Sequence, residues 1–276
     1  MRDLGRLITA MVTPFDDHQG VDYKRAQELA LRLLDEGSDG LVVCGTTGES
    51  PTVSAEEKLK LFEAVSEAVG ERGTVIANTG SYDTAESVEL TRRAEKTGVD
   101  GIMAVVPYYN NPPQEGLYQH FRAVVEATRL PVILYNIPPR SPRNLEPETL
   151  ARLAELPNLA GVKEASGKLD QVAEIYRRMP EGFLIYSGDD AITLPVMSVG
   201  GHGVISVASH VAGADMQRMI QLFLKGEVVE AARINASLMP LFKGLFAAPN
   251  PILVKAALEM RGFPVGGLRL PLVSAT

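Results

Sequence analysis

Short runs of β-forming residues alternate with longer amphipathic stretches along most of this chain, and this alternation restricts its fold more than any other feature. Eight runs predict strands, at residues 7–12, 40–44, 74–78, 101–106, 132–135, 161–163, 183–186 and 203–207. Several are apolar at consecutive positions, as expected of strands that are buried on both faces. Helical patterns lie between them, at residues 23–36, 55–69, 84–97 and 117–128. The order predicts an α/β fold, a (β/α)₈ TIM barrel, with a doubly wound open sheet as its main rival.

The last quarter of the chain has a different pattern. After residue 207 the strand signals stop, and residues 215–225, 228–242 and 251–261 have helical patterns. We therefore expect a barrel over residues 1–210, with its active site at the C-terminal ends of the strands, and a C-terminal helical region over residues 211–276. The length of 276 residues suits one α/β barrel, which typically takes about 250 residues.

Composition excludes several classes of protein. The formal net charge of −7 argues against a nucleic-acid partner, which favours a basic surface. No window approaches the ~20 apolar residues of a membrane span, and the N-terminal residues do not resemble a signal peptide. Cys44 is the only cysteine, so no internal disulfide can form. We expect a cytoplasmic protein, and the histidines show no metal-ligand spacing, so we expect no metal site.

In a barrel, catalytic groups follow the strands at their C-terminal ends. The second predicted strand leads into GTTGESP at residues 45–51, whose hydroxyls and backbone amides could hold a carboxylate or polarise a carbonyl. The spacing is not that of a phosphate-binding loop, and a glycine-rich turn with a capping threonine is the alternative. The fourth strand leads into PYYNNPP at residues 107–113, where the tyrosines could bind a ligand, contact a neighbouring subunit, or anchor the loop.

The fifth and sixth strands end in groups suited to carbonyl chemistry. Tyr135 could transfer a proton, and Arg140 could bind a carboxylate or form a surface ion pair. Lys163 ends an apolar run, where partial desolvation would lower the pKa of its amine and make it a nucleophile toward ketones. An ion pair is the alternative for Lys163, but Glu164 is a poor partner because adjacent strand residues point to opposite faces.

The seventh strand leads into SGDD at residues 187–190, and the eighth strand follows two glycines. Loops after these two strands often bind phosphate in barrels, but two aspartates would repel it. This acidic loop argues against a phosphorylated substrate.

Taken together, these motifs closely resemble the dihydrodipicolinate synthase family of class I aldolases, which use pyruvate and a lysine Schiff base. The motifs that carry the resemblance are GTTGES at 45–50, PYYN at 107–110, YNIPPR at 135–140, GVKEASG at 161–167, SGDDA at 187–191, GGHGVISV at 200–207, PNPILVK at 249–255 and LRLP at 268–271. They occur in the family's order along nearly the whole chain, and they are specific in combination rather than singly.

The resemblance implies four catalytic residues. Lys163 would form the imine with pyruvate, and Tyr135 would donate and accept protons. Thr46 and Tyr109 would complete a proton relay with Tyr135, and Tyr109 is similar to a family tyrosine that reaches in from the neighbouring subunit. The covalent pyruvate imine would be the intermediate, with no cofactor.

The resemblance implies substrate contacts for four further residues. Thr47 and the backbone around Ile205 would bind pyruvate, and Gly188 would line the pocket. Arg140 would bind the carboxylate of the second substrate, L-aspartate 4-semialdehyde. Pro142 stands where the family usually has glycine, so the loop that carries Arg140 could sit differently here.

The implied reaction gives 4-hydroxy-tetrahydrodipicolinate in the diaminopimelate and lysine pathway. The alternative is a related pyruvate-dependent aldolase that acts on a 2-keto-3-deoxy sugar acid, N-acetylneuraminate or 4-hydroxy-2-oxoglutarate. A non-enzymatic pyruvate binder is a third possibility, but such a protein would not need all of the proton-transfer groups. The resemblance also implies a homotetramer, with a dimer as the alternative.

The positions of the family's lysine-feedback site also depart from its pattern. Ala55, Lys58 and Tyr82 stand where lysine-sensitive relatives typically have two histidines and an asparagine. A cationic Lys58 would repel a bound lysine, so we expect weak or absent feedback inhibition.

Overall fold

The computed structural model of the protein describes residues 4–275, and its eight parallel strands close into a barrel in chain order. The strands are β1 (Leu7–Ala10), β2 (Gly40–Val43), β3 (Thr74–Asn78), β4 (Gly101–Val105), β5 (Val132–Asn136), β6 (Leu159–Glu164), β7 (Leu184–Ser187) and β8 (Gly203–Ser206). Closure of the sheet confirms the predicted TIM barrel and excludes the open doubly wound sheet. Each predicted strand begins within two residues of an observed one.

Helices follow the strands and continue after β8. They are α1 (Tyr23–Asp35), α2 (Ala55–Val69), α3 (Thr84–Ala94), α4 (Gln114–Val125), α5 (Pro147–Leu153), α6 (Leu169–Arg178), α7 (Thr193–Ser198), α8 (Ser209–Leu224), α9 (Val228–Gly244) and α10 (Ile252–Met260). A capping box begins α2, because Ser54 and Glu57 exchange side-chain to backbone hydrogen bonds there. The expected boundary between the barrel and the C-terminal region, at residues 210 and 211, falls inside α8.

The sequence patterns named no helix between β5 and β8, where α5, α6 and α7 lie. Two of these, α5 and α7, have only seven and six residues, which is too short for a helical period to show. In α6 the apolar positions Leu169, Val172 and Ile175 do have helical spacing, and two of them are buried. The signal for α6 was therefore present in the sequence.

By its contacts the chain groups into two compact units, and the first comprises residues 76–205. Parallel pairing runs from β3 through β8 within this unit, with Tyr135 opposite Lys163 and Lys163 opposite Tyr186. Every residue of β4, β5 and β6 is buried, which agrees with their consecutive apolar sequences. Because the strands are parallel, their C-terminal ends lie along one edge of the sheet.

The second unit comprises residues 4–75 together with residues from 206 onward. Here β1 pairs with β2, α1 packs against α2, and α8 packs against α9. The chain after α10 is irregular and is attached by Arg269, whose guanidinium donates two hydrogen bonds to the Glu57 carboxylate. Arg269 also lies over the Phe15 ring, 4.5 Å from its centroid. This irregular segment is thus held against the rest of its unit by the contacts of Arg269 with Glu57 and Phe15.

Gly161 allows β6 and β7 to approach closely. A Cβ at this position would lie 2.3 Å from the Leu184 carbonyl oxygen, and backbone cannot move aside as the end of a side chain can. The register of β6 against β5 is also irregular here, since Val132 pairs with Leu159 but Ile133 pairs with Gly161. Glycine is therefore required two residues before Lys163.

We predict that Gly161→Ala lowers the thermal unfolding midpoint, because overpacking a buried site costs about 1–3 kcal/mol. The matched control is Gly244→Ala at the end of α9, where a Cβ would have nothing within 4 Å. Alanine is the better helix former by up to about 1 kcal/mol, so this control should leave the midpoint unchanged or raise it. A Gly161→Ala protein that melts at or above the wild-type midpoint would contradict this account of β6.

Candidate active site

Lys163 lies on β6 between two tyrosines of the neighbouring strands. Residues in register on adjacent strands point to the same face, so Tyr135 of β5 and Tyr186 of β7 flank it. The Lys163 side chain is buried, with its residue 5% exposed, and its Nζ lies over the Tyr135 ring, 4.2 Å from the centroid. The structure therefore brings together the two residues that the sequence predicted as nucleophile and proton donor.

Burial changes the protonation of this lysine. Removal from water disfavours the charged ammonium and lowers the pKa of Lys163 to about 8. The Asp190 carboxylate acts in the opposite direction, and the Arg140 guanidinium lowers the pKa further. An appreciable fraction of the amine is therefore neutral near physiological pH, and a neutral amine can attack a carbonyl carbon.

Glu164 does not serve as the ion-pair partner of Lys163. Its side chain lies on the other face of β6, where Asn136 Nδ2 and Gln171 Nε2 donate hydrogen bonds to its carboxylate at 2.9 and 3.1 Å. The alternation of side chains along a strand separates the two neighbouring charges, as the sequence indicated.

Arg140 lies in the loop between β5 and α5. A turn places it, in which the Ile137 carbonyl accepts hydrogen bonds from the backbone amides of Arg140 and Ser141. The Arg140 side chain is exposed, but its charge is near enough to lower the pKa of Lys163. Arg140 is thus a cation at the same edge of the sheet as the lysine, with exposed Pro142 just beyond it.

Gly188 directly follows β7, and Ile205 is the penultimate residue of β8. The Gly188 amide donates to the Glu164 carbonyl at 2.8 Å, and a Cβ on Gly188 would lie 3.2 Å from Cε of Lys163. The absence of a side chain at Gly188 thus leaves room beside the lysine. Since β7 and β8 pair Ser187 with Val204, continuing that register by one residue puts buried Ile205 beside Gly188.

Thr46 and Thr47 belong to the second compact unit, in the loop after β2. Thr46 is half-buried, and Thr47 is buried with its Oγ1 2.8 Å from Asn250 Nδ2. Because the amide of Asn250 donates to this hydroxyl, the hydroxyl proton of Thr47 is left to donate elsewhere. Sequence reasoning did not single out Asn250, although the PNPILVK motif contains it.

A buried ion pair holds the same loop from its other end. Glu49, which has a left-handed φ of 56°, lies 2.7 Å from Lys255 Nζ, with side chains 1% and 4% exposed. The other Glu49 oxygen accepts from the Arg269 amide at 3.0 Å. Removing one partner of such a pair would leave an uncompensated buried charge, so the pair fixes the loop that carries both threonines.

Tyr109 is placed differently from the other predicted residues. It lies in the loop after β4 and is 83% exposed, so this chain does not itself bury it. The preceding Tyr108 packs edge-on against Tyr82, with ring centroids 5.3 Å apart, and Asn110 Nδ2 donates to the Tyr82 carbonyl. These contacts fix the loop and leave the Tyr109 phenol at its surface.

The buried histidines lie in environments that disfavour their charged form. Burial lowers the pKa of His120 and of His210 to about 4, and a backbone hydrogen bond to Val207 opposes the shift of His210. Within residues 4–275, no group of three or more His, Cys, Asp or Glu side chains is arranged to hold a metal ion. The same residues contain no helix that is both long and apolar enough to span a bilayer.

Comparison with known proteins gives consistent matches over the whole chain. The model of the dihydrodipicolinate synthetase family matches residues 3–276. The 4-hydroxy-tetrahydrodipicolinate synthase of Heliobacterium modesticaldum is 58% identical over 273 residues, which cover 99% of this chain and 91% of the relative. That of Moorella thermoacetica is 58% identical over 272 residues, covering 99% and 93%.

Solved structures give the same result. A dihydrodipicolinate synthase of Bacillus anthracis superposes with a TM-score of 0.98 at 47% identity, covering 100% of this chain and 94% of that one. The enzyme of Cyanidioschyzon merolae, solved with lysine bound, superposes with a TM-score of 0.97 at 50% identity, covering 99% and 93%. The likeness extends over both compact units.

The charges around Lys163 predict shifts of its pKa in opposite directions. Asp190→Asn removes the anion that favours the ammonium and should move the pKa of Lys163 below about 8. Arg140→Ala removes a repelling cation and should raise it. Asp170→Asn, on the exposed start of α6, is the control and should leave it unchanged. The measurement is a ¹³Cε NMR titration of labelled lysines, assigned with Lys163→Arg; shifts of the same sign in both variants would refute the electrostatic account.

Proposed function

The chain belongs to the dihydrodipicolinate synthetase family, and we propose that it condenses pyruvate with L-aspartate 4-semialdehyde to give 4-hydroxy-tetrahydrodipicolinate. It is an enzyme of the lyase class, and its reaction belongs to diaminopimelate and lysine biosynthesis. The observation that carries the proposed mechanism is the buried Lys163 amine, which lies over the Tyr135 ring with its pKa lowered to about 8.

The first chemical step would join the enzyme to pyruvate. The neutral amine of Lys163 attacks the C2 carbonyl to give a carbinolamine, and loss of water leaves the imine. Departure of water needs a proton, which Tyr135 would supply to the leaving oxygen. A desolvated lysine suits this step, because its lowered pKa leaves more of the amine neutral and therefore nucleophilic.

The second step would form the carbon–carbon bond. Loss of a methyl proton converts the imine to an enamine, whose terminal carbon attacks the aldehyde carbon, and the aldehyde oxygen takes up a proton. Arg140 would orient the semialdehyde by binding its carboxylate with paired N–H donors. Attack of the substrate's amino group on the imine carbon then closes the ring and releases Lys163 as a free amine.

The remaining roles are carried over from the resemblance. Thr46 and Tyr109 would relay protons to and from Tyr135. Thr47 and the backbone around Ile205 would bind pyruvate, with the orientation of the Thr47 hydroxyl set by Asn250. Gly188 would leave space for the substrate beside Lys163. Every covalent intermediate in this scheme is attached to Lys163, and the scheme uses no cofactor.

The proposed assembly is a homotetramer, with a dimer as the alternative. The exposed position of Tyr109 supports it, since a phenol at the surface of one chain is available to complete the site of a neighbour. We place the protein in the cytoplasm, as its single cysteine and its biosynthetic relatives suggest.

The sister aldolases for sugar acids, N-acetylneuraminate and hydroxy-oxoglutarate are less well supported. Relatives at 55–58% identity over the whole chain have the synthase name. Arg140, whose charge lowers the pKa of Lys163, also suits a short carboxylated aldehyde better than a long polyol.

Lys163→Ala should reduce consumption of the semialdehyde with pyruvate by at least about a hundredfold, because it removes the amine that forms the imine. Lys168→Ala removes an exposed lysine five residues along the chain and is the control; it should keep wild-type turnover. Initial rates are to be compared with those for cleavage of a 2-keto-3-deoxy sugar acid and of N-acetylneuraminate. Faster cleavage of either sugar acid by the wild type would replace the synthase proposal with the aldolase alternative.

Feedback by lysine is expected to be weak or absent, because Lys58 places a cation where a bound lysine would need a neutral or negative neighbour. Initial rates of the wild-type enzyme should stay constant as lysine rises into the millimolar range. The variant Lys58→His, which can be neutral, should be inhibited at least as strongly as the wild type. Full inhibition of the wild type by sub-millimolar lysine would show this expectation to be wrong.

A further inference from the structure

A buried carboxylate lies directly behind the catalytic strand ends, on the face opposite to Lys163. Glu164 is 2% exposed, and its two oxygens together accept three hydrogen bonds. Oε1 accepts from the Ser166 amide at 2.6 Å, while Oε2 accepts from Asn136 Nδ2 and Gln171 Nε2 at 2.9 and 3.1 Å. All three donors are neutral amides, so a network of uncharged groups holds the Glu164 carboxyl group.

The amide group of Asn136 has a fixed orientation in this network. Its Oδ1 accepts from the Leu145 backbone amide at 2.9 Å, which forces its Nδ2 toward the Glu164 carboxylate. Turning the Asn136 amide over would place two N–H donors against each other and two oxygens against each other. The network therefore has one stable arrangement, and that arrangement requires an acceptor at Glu164.

Asn144 joins the network to the loop between β5 and α5. Its Oδ1 accepts from Asn136 Nδ2 and from Gln171 Nε2, at 2.9 and 3.0 Å, and its Nδ2 donates to Gln171 Oε1 at 2.9 Å. With Leu145, it ends the segment 137–145 that carries Arg140. The far end of this segment is thus connected to Glu164 through the Asn144 side chain and through the Leu145 amide, which both contact Asn136.

The catalytic strands do not depend on these side chains in the same way. Tyr135 and Lys163 are held by the backbone pairing of β5, β6 and β7. The segment 137–145, by contrast, has no strand or helix, and the Ile137 turn fixes only its beginning. Loss of the network should therefore displace Arg140 more than the imine-forming residues.

We propose that Glu164 is a positioning residue for the second substrate, which sets the loop that carries Arg140 through Asn136 and Asn144. This inference rests on the proposed function, in which Arg140 binds the carboxylate of the semialdehyde. Glu164 touches neither substrate in this account and acts only through Arg140.

The test is Glu164→Gln, which keeps the size of the side chain but replaces one acceptor oxygen by an N–H donor. That donor would face the amides of Asn136, Gln171 or Ser166, which are donors themselves. The KM for the semialdehyde should rise about tenfold, as expected for a displaced orienting group, while the KM for pyruvate stays at the wild-type value. Glu148→Gln, at an exposed carboxylate of α5, is the matched control and should change neither constant.

A double-mutant cycle tests whether Glu164 acts through Arg140. Adding Glu164→Gln to Arg140→Ala should raise the KM for the semialdehyde no further, because the group it positions is already gone. If the two substitutions raise the KM for the semialdehyde by factors that multiply in the double variant, the proposal is overturned, because Glu164 and Arg140 would then act independently.

Several outcomes separate this inference from the proposed function. Failure of the wild type and of Glu148→Gln to consume the semialdehyde would refute the proposed function, and this inference with it. Normal turnover by both, with Glu164→Gln melting at a lower temperature but retaining both KM values, would show that Glu164 is only structural. If Glu164→Gln does not fold, the second variant is Asn144→Ala, at a half-buried residue. It must raise the KM for the semialdehyde and leave the KM for pyruvate unchanged. Wild-type values of both KM constants in Asn144→Ala would overturn the proposal.

Discussion

Burial of the Lys163 amine is the interaction on which the site depends. A lysine in water is protonated and inert toward carbonyls, whereas desolvation at the end of β6 brings its pKa to about 8. Asp190 and Arg140 adjust this value in opposite directions. The barrel makes such burial possible because both faces of β5 and β6 are covered, and Gly161 permits β6 and β7 to approach closely.

Successive side chains of a β-strand point to opposite faces, so the ends of β5 and β6 carry different groups on their two faces. One face presents Tyr135 and Lys163, which are in register on β5 and β6. The next residues along, Asn136 and Glu164, are also in register, and they face the helices with their hydrogen bonds satisfied. The proposed reacting groups and the hydrogen-bonded pair behind them therefore occupy adjacent positions in the sequence.

The sequence was enough to predict the barrel and the strand ends, because buried parallel strands have consecutive apolar residues and Lys163 interrupts such a run. It could not reveal contacts between distant residues. Thr47 and Asn250 are 203 positions apart, and the Glu49–Lys255 pair joins the loop after β2 to α10. The sequence predicted only that Glu164 is a poor ion-pair partner for Lys163. The hydrogen-bond partners of Glu164 could not be predicted, because they depend on how α6 and the loop after β5 fold.

The central claim is tested most directly by borohydride reduction in the presence of pyruvate, followed by mass mapping of the peptides. The account predicts a reduced pyruvate adduct on the peptide that contains Lys163, formed faster as the pH rises through about 8 because the neutral amine becomes more abundant. An adduct on another lysine, or none on folded protein with pyruvate in excess, would contradict the assignment of Lys163 as the nucleophile.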